Sequence, residues 1–147
     1  MKNNSLLTVK NLEVCLTNSL KSSALLNNIS FQISKNQIVG LVGESGSGKS
    51  LTALSILNLL NNKTYSSSGE ILFNNKNILE LNLNELQKIR GNDISMIFQE
   101  PMSALNPTMN IGDQLIEICK RHLDLNDGEI IKKINLLIEK VRLDDIK

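Results

Sequence analysis

Apolar residues fall in short runs of differing period along this chain. Residues 7–16 (LTVKNLEVCL) partly alternate, and so do residues 24–33 (ALLNNISFQI). Period-two patterning predicts a strand in each. Residues 17–23 are polar and turn-like, so the two strands are expected to run antiparallel, with Asn27 and Asn28 marking a bulge or bend. Residues 34–37 (SKNQ) predict a tight turn into residues 38–42 (IVGLV), a continuous apolar run. Such a run is the pattern of a central strand covered on both faces. Residues 51–60 (LTALSILNLL) are apolar nearly all round, which predicts a helix buried between a sheet and other helices.

Farther on, residues 61–68 read as a polar loop, residues 69–73 (GEILF) as a strand, residues 74–76 as a turn and residues 78–81 as a short extended piece. Asn82 and Glu85 have capping-box spacing, and Leu83, Leu86 and Ile89 follow at helical spacing, closed by Arg90 and Gly91. Residues 94–98 (ISMIF) predict a second buried strand, ending at Gln99. Pro101 and Pro107 exclude a continuing central strand and make residues 99–107 an ordered loop. Residues 111–123 predict a helix with Leu115, Ile118 and Cys119 inward. Asn126 and Glu129 open another, whose apolar face is Ile130, Ile134, Leu137, Ile138 and Val141. Mixed strands and helices of this kind predict an α/β fold.

Composition narrows the function classes. The chain has 147 residues, a length expected of one domain, and a net charge of +1. That balance argues against a nucleic-acid or anionic-membrane surface. Aromatic residues make up 3% and tryptophan is absent, so leucine and isoleucine must build the core. Asn and Lys are frequent, a bias expected of an AT-rich genome. Cys15 and Cys119 are far apart and lack metal-type neighbours, which suggests reduced thiols of a cytosolic protein. The N-terminus has no apolar segment of signal-peptide type, and no apolar run approaches the length of a membrane span.

The sharpest chemistry lies between the central apolar run and the buried helix. Gly43, Glu44, Ser45, Gly46, Ser47, Gly48, Lys49 and Ser50 form G-x-x-x-x-G-K-S, followed by Leu51. Successive backbone N–H groups of such a loop converge into an anion-binding nest. Gly43, Gly46 and Gly48 let the backbone wrap closely around a phosphate. The following helix aims its positive end at the same place. Lys49 is placed to reach β- and γ-phosphates, and the Ser50 hydroxyl to ligate Mg²⁺. The loop alone leaves kinases, GTPases, motor ATPases and transporter ATPases open. Neither Asn62-Lys63 nor Asn75-Lys76 continues as a guanine reader. Arg90, Arg121 and Arg142 are too scattered for a metabolite-kinase lid.

A second landmark follows the 94–98 run. Gln99 and the residues after it, QEPMSALNP, resemble the Q-loop of ABC-transporter nucleotide-binding domains. The stretch from SGEILFNN through ELQKIRGNDISMIFQEPM is similar to the peptide-importer branch of that family, which includes oligopeptide, dipeptide, nickel, glutathione and microcin-C-type uptake ATPases. GDQLIEICKRH resembles the start of its helical subdomain, and VGESGSGKSLTALSILNLL looks most like the microcin-C-type ATPase.

The resemblance implies a truncated P-loop NTPase fold, with antiparallel strands, a RecA-like core and the start of the helical subdomain. It implies an ATP-binding core over residues 1–108 and helical subdomain from 109 to 147. ATP and Mg²⁺ would be the cofactors. Residues 43–51 would hold the phosphates, Ser50 and Gln99 would attend the metal, and Lys49 and Gln99 would serve hydrolysis. The region from Pro101 to Asn110 would meet a membrane permease subunit, and a second nucleotide-binding domain would complete the site. The chain would then lie on the cytoplasmic face of the cell membrane.

Three departures qualify these expectations. Leu16 stands where the family usually has an adenine-stacking aromatic. Asn36-Gln37 replaces a Gly-Glu turn, which Asn tolerates because it visits the left-handed region. The LSGGQ-type signature, the strand ending Asp-Glu and the switch histidine are not found. Asp144-Asp145 follows a helical pattern, and His122 lies on the first subdomain helix. The isolated chain is therefore expected to bind nucleotide without sustained hydrolysis, and its uncovered apolar strand predicts poor solubility or dependence on another chain that supplies the rest. The competing expectation is a non-hydrolysing remnant that serves as a nucleotide-binding or interaction module.

Overall fold

The computed structural model describes residues 5–17, 24–100 and 104–143. The chain divides into two compact units, Met1–Arg90 and Gly91–Lys147.

The first unit is built on a four-stranded antiparallel sheet in the order β2-β1-β3-β4. Its strands are β1 (Ser5–Leu16), β2 (Ala24–Ser34), β3 (Tyr65–Phe73) and β4 (Lys76–Asn77). Alternation puts Leu7, Val9, Leu12, Val14, Leu26, Ile71 and Phe73 in the core. The two expected N-terminal strands form and pair antiparallel. Asn28, with φ 51°, falls at the register break between Leu26 and Ile29, where a bend was expected. The turn after β2 closes through the Gln37 N–H, which donates to the Ser34 carbonyl at 3.3 Å, with Asn36 left-handed at φ 59°. Residues 18–23 of the expected polar turn lie outside the described residues.

A second bulge joins β1 to β3. Lys10 pairs with Glu70 and Glu13 with Ser68, so two β1 residues oppose Gly69 alone. Gly69 has φ 95°, and a Cβ there would meet the Asn11 carbonyl oxygen at 2.4 Å and that of Lys10 at 2.6 Å. Only glycine fits this position without moving the backbone. β3 begins four residues ahead of the expected 69–73 strand, because Ser66, Ser67 and Ser68 pair with Cys15, Val14 and Glu13. Asn74 (φ 47°) and Asn75 (φ 64°) make a two-residue turn into β4, the left-handed pair that a tight hairpin requires. Residues 78–80 close into a 3₁₀ turn, not the expected extended piece. The Asn77 side chain accepts from the Leu79 N–H at 3.3 Å, and that bond draws the backbone round.

Two helices complete this unit, α1 (Lys49–Ile56) and α2 (Leu83–Ile89). The capping box of α2 forms as expected between Asn82 and Glu85. α1 ends at Ile56, short of the expected residue 60, and its buried positions are Thr52 and Ser55, not its leucines. Each hydroxyl bonds a carbonyl one turn back, Thr52 Oγ1 to Gly48 at 2.9 Å and Ser55 Oγ to Leu51 at 2.8 Å, so burial leaves neither unsatisfied.

Residues 38–42 differ from the expected central strand. They carry no ladder partner, and Ile38 and Val42 are 100% and 94% exposed. A strand of this type exists only when flanked. Among the described residues nothing pairs with it.

In the second unit, α3 (Ile111–His122) packs on α4 (Asp127–Lys140). Cys119, Ile130 and Ile134 form its core, with Leu115, Ile116 and Ile138 packed around them. The capping box of Asn126 and Glu129 forms as expected. Ile118, expected inward, is 56% exposed, and Ile116 takes its place against the core. Of the expected α4 face, Leu137 and Val141 also stay exposed. Residues 94–98 are not the buried strand expected. Only Ile94 makes a bridge, and Ile97 is 93% exposed, since among the described residues no second strand lies alongside.

Candidate functional site

The glycine loop links residues 38–42 to α1, and its backbone is shaped by two left-handed glycines. Gly46 has φ 81°, and Gly48, the residue before α1, has φ 91°. A Cβ on Gly48 would approach Leu26 Cδ2 to 2.4 Å, so the loop is seated against β2 at this point. A Cβ on Gly43 would meet Ser47 Oγ at 2.5 Å, which brings the two ends of the loop together. Between them Ser47 N–H donates to the Glu44 carbonyl at 3.2 Å.

Lys49 is folded back into this ring. Its ammonium donates to the Gly43 carbonyl at 2.7 Å, the Glu44 carbonyl at 2.7 Å and Ser47 Oγ at 3.3 Å. The charge is thus held at the centre of the loop by neutral oxygens. Ionised oxygens are stronger acceptors, so a phosphate can displace them. The first turn of α1 carries neither an acidic residue nor a side-chain cap. Its N–H groups and dipole therefore remain available to an anion. Glu44, Ser45, Gly46, Ser47 and Ser50 are exposed, while Gly48, Lys49 and Leu51 are half-buried. Left-handed glycines, a centred ammonium and an uncapped helix start together fit a polyphosphate.

The other end of α1 is held by a residue that local sequence signals do not reveal. Arg90 Nε donates to the Leu57 carbonyl at 2.8 Å, and its guanidinium also reaches the Asn58 carbonyl. These are orphan carbonyls at the helix C-terminus, where a cation is also favoured by the dipole. Burial pulls the Arg90 pKa down from its usual value. The group nonetheless stays charged at any ordinary pH. Arg90→Ala is expected to cost about 2 kcal/mol, the worth of a charge-assisted cap, read by urea unfolding. A loss under ~0.5 kcal/mol would mean that the cap is ornamental.

Gln99 belongs to the second unit and is exposed, with Phe98 before it 41% exposed. Residues 101–103 lie outside the described residues, and residues 104–110 are all exposed. Cys119 is buried in the α3–α4 core, and His122 lies beside Gly91, where a Cβ would meet its Nε2 at 3.3 Å.

Residues 26–147 match the model of a protein family described as ABC transporter. The chain belongs to the ABC transporter family. Similar proteins of that family match nearly all of this chain. It is 40% identical over 146 residues to the dipeptide transport ATP-binding protein DppD of Lactococcus lactis subsp. cremoris, covering 99% of this chain and 42% of that protein. DppD of Bacillus subtilis is 42% identical over 142 residues, covering 95% of this chain and 42% of the relative. The oligopeptide transport ATP-binding protein OppD of Escherichia coli is 36% identical over 145 residues, 97% of this chain and 42% of the relative. The chain thus spans 42% of the length of these curated relatives. Family membership carries the ABC-type P-loop fold expected from the 43–51 loop and the 94–107 stretch. Among the described residues of this ABC-family chain, no helix is long and apolar enough to cross a membrane.

Proposed function

We propose that this chain is the ATP-binding part of the energy-coupling subunit of an importer for peptides or related small solutes. The carrying observation is Lys49, whose ammonium sits in the ring of Gly43, Glu44 and Ser47 at the uncapped start of α1. In this reading Gly43, Glu44, Ser45, Gly46, Ser47, Gly48, Lys49, Ser50 and Leu51 hold the phosphates of ATP through backbone N–H groups. Lys49 neutralises their charge, and the Ser50 hydroxyl takes Mg²⁺. The metal supplies further neutralisation of the triphosphate when bound. Gln99 senses the γ-phosphate, its amide able to donate and accept at once.

Residues 101–110 meet a membrane permease subunit, which keeps the chain peripheral on the inner face of the cell membrane. A second nucleotide-binding domain completes the assembly. The exposed residues 38–42, with Ile97 and Phe98 of the 94–98 run, favour a further polypeptide segment, on this or a separate chain, that covers them and supplies the hydrolytic groups. Residues 1–108 act as the core and 109–147 as the start of the helical subdomain. Without that segment the chain binds nucleotide and does not turn it over, because transition-state stabilisation is incomplete. The same two exposed runs also suit the other reading, a nucleotide-binding remnant, and turnover regained on adding the carboxy-terminal part of a relative would exclude that reading.

The test is thermal. A ligand that binds only the folded state stabilises it by about 2.7 kcal/mol at a hundredfold excess over Kd. Mg-ATP is expected to raise the melting temperature of the unaltered chain and to leave Lys49→Ala unmoved. Equal shifts in both would refute the phosphate site.

A further inference from the structure

Residues 104–110 are all exposed yet densely bonded among themselves, and the two do not ordinarily go together. Ordering a residue costs about 1–2 kcal/mol of backbone entropy, usually offset by burial. Here none of these seven residues is buried. Their shape is held instead by one side chain from α3. Gln114 Oε1 accepts from the Asn106 N–H at 3.0 Å. Gln114 Nε2 donates to the Asn106 carbonyl at 3.1 Å and the Met109 carbonyl at 3.2 Å. A single amide thus closes the loop at both ends with both of its polar atoms.

The rest of the loop is built on that clamp. Asn106 Oδ1 accepts from the Thr108 N–H at 3.0 Å and from its hydroxyl at 2.8 Å. The Met109 N–H turns back to the Asn106 carbonyl at 3.3 Å. The Gln114 backbone N–H bonds the Asn110 carbonyl at 3.2 Å, which fixes the clamp to the helix start. A groove of about 440 Å³ opens beside it, walled by Met109 and Ile118 and rimmed by Asn106, Gln114, Glu117 and Arg121. Leu105, Met109, Ile111 and Ile118 present exposed apolar surface around this loop.

We infer that Gln114 is a positioning residue that fixes the 106–110 loop in the shape in which it docks on the membrane subunit. This rests on the reading of residues 101–110 as the permease contact. The physical reason is preorganisation. A loop already ordered before contact loses little entropy on docking, and that saving appears as affinity. Gln114 touches neither nucleotide nor solute in this account and acts only through the loop.

The experiment uses the full chain and two separate readouts. The first is amide exchange at Asn106, resolved by NMR. Gln114→Ala is expected to speed it about tenfold, the equivalent of one hydrogen bond of ~1.4 kcal/mol. Gln114→Glu keeps the acceptor and is expected to keep Asn106 protected while losing both donated bonds. The second is co-sedimentation with everted membrane vesicles of source cells, compared with liposomes of their extracted lipids. The unaltered chain is expected to pellet with vesicles and not with liposomes. Gln114→Ala and Asn106→Ala should bind vesicles about tenfold less while keeping the ATP-induced melting shift. Unchanged exchange, or equal pelleting of Gln114→Ala and the unaltered chain, would overturn the clamp's role alone. Failure of the unaltered chain to pellet, or equal pelleting with bare lipid, would overturn the permease-contact reading and the inference with it.

Discussion

Gly69→Ala is expected to lower the unfolding free energy by more than about 3 kcal/mol, and the melting temperature by more than about 12 °C. Two effects add at this position. The left-handed φ of 95° already costs an L-residue energy. The new methyl would also lie 2.4 Å from the Asn11 carbonyl oxygen and 2.6 Å from that of Lys10, both backbone atoms of the central strand β1. A flexible side chain could swing aside, whereas these atoms cannot without breaking the β1–β3 ladder. Gly46 is the internal control. It is also left-handed, at φ 81°, but nothing lies within 4 Å of a Cβ there, so Gly46→Ala should cost only the strain, about 1 kcal/mol. Thermal unfolding of both variants checks the argument. Equal small losses would show that the bulge yields.

The second large effect depends on context. Replacing Ile38 and Val42 together by lysine should change the stability of the lone chain by no more than about 0.5 kcal/mol per site, since both are essentially fully exposed. In an assembly where residues 38–42 are flanked by strands, the same change buries unpaired ammonium groups, at several kcal/mol each. The doubly substituted chain should therefore melt like the unaltered one yet fail to co-purify with the carboxy-terminal part of a relative. Urea unfolding reads the first half and size-exclusion chromatography of the mixture the second. A loss of several kcal/mol in the lone chain would mean that this run is already covered, and normal co-purification would mean that it is not the joint.

These two sites divide what was legible in the sequence from what was not. Local signals transferred well. The capping boxes at Asn82 and Asn126 need only a Glu three residues on, whose N–H donates to the Asn side chain and whose carboxylate accepts from the Asn N–H, and both form. The β1–β2 pair follows from alternation and a short connection. Non-local features did not transfer. Residues 38–42 have the composition of a central strand, but a strand is a property of its neighbours, and apolar content does not supply them. Conversely Ser66, Ser67 and Ser68 lack any strand pattern and are drawn into β3 by the edge of β1. The phosphate loop was legible because glycine spacing and Lys49 fix its shape within nine residues of chain. Arg90 and Gln114 were not, because each works by reaching carbonyls elsewhere in the chain, those of Leu57 and Asn58 for one and Asn106 and Met109 for the other.

Among the described non-glycine residues with positive φ, Asn11, Asn28, Asn36, Asn58, Asn74 and Asn75 are asparagines, and only Arg142 is not. Glycine is the usual occupant of such positions, and asparagine is the other residue that visits them cheaply. Glycine codons begin with two guanines, whereas asparagine codons begin with two adenines. A coding sequence poor in guanine can therefore keep its reversals of direction by placing asparagine at these corners. Part of the abundance of asparagine here thus serves the turns and bulges of the fold.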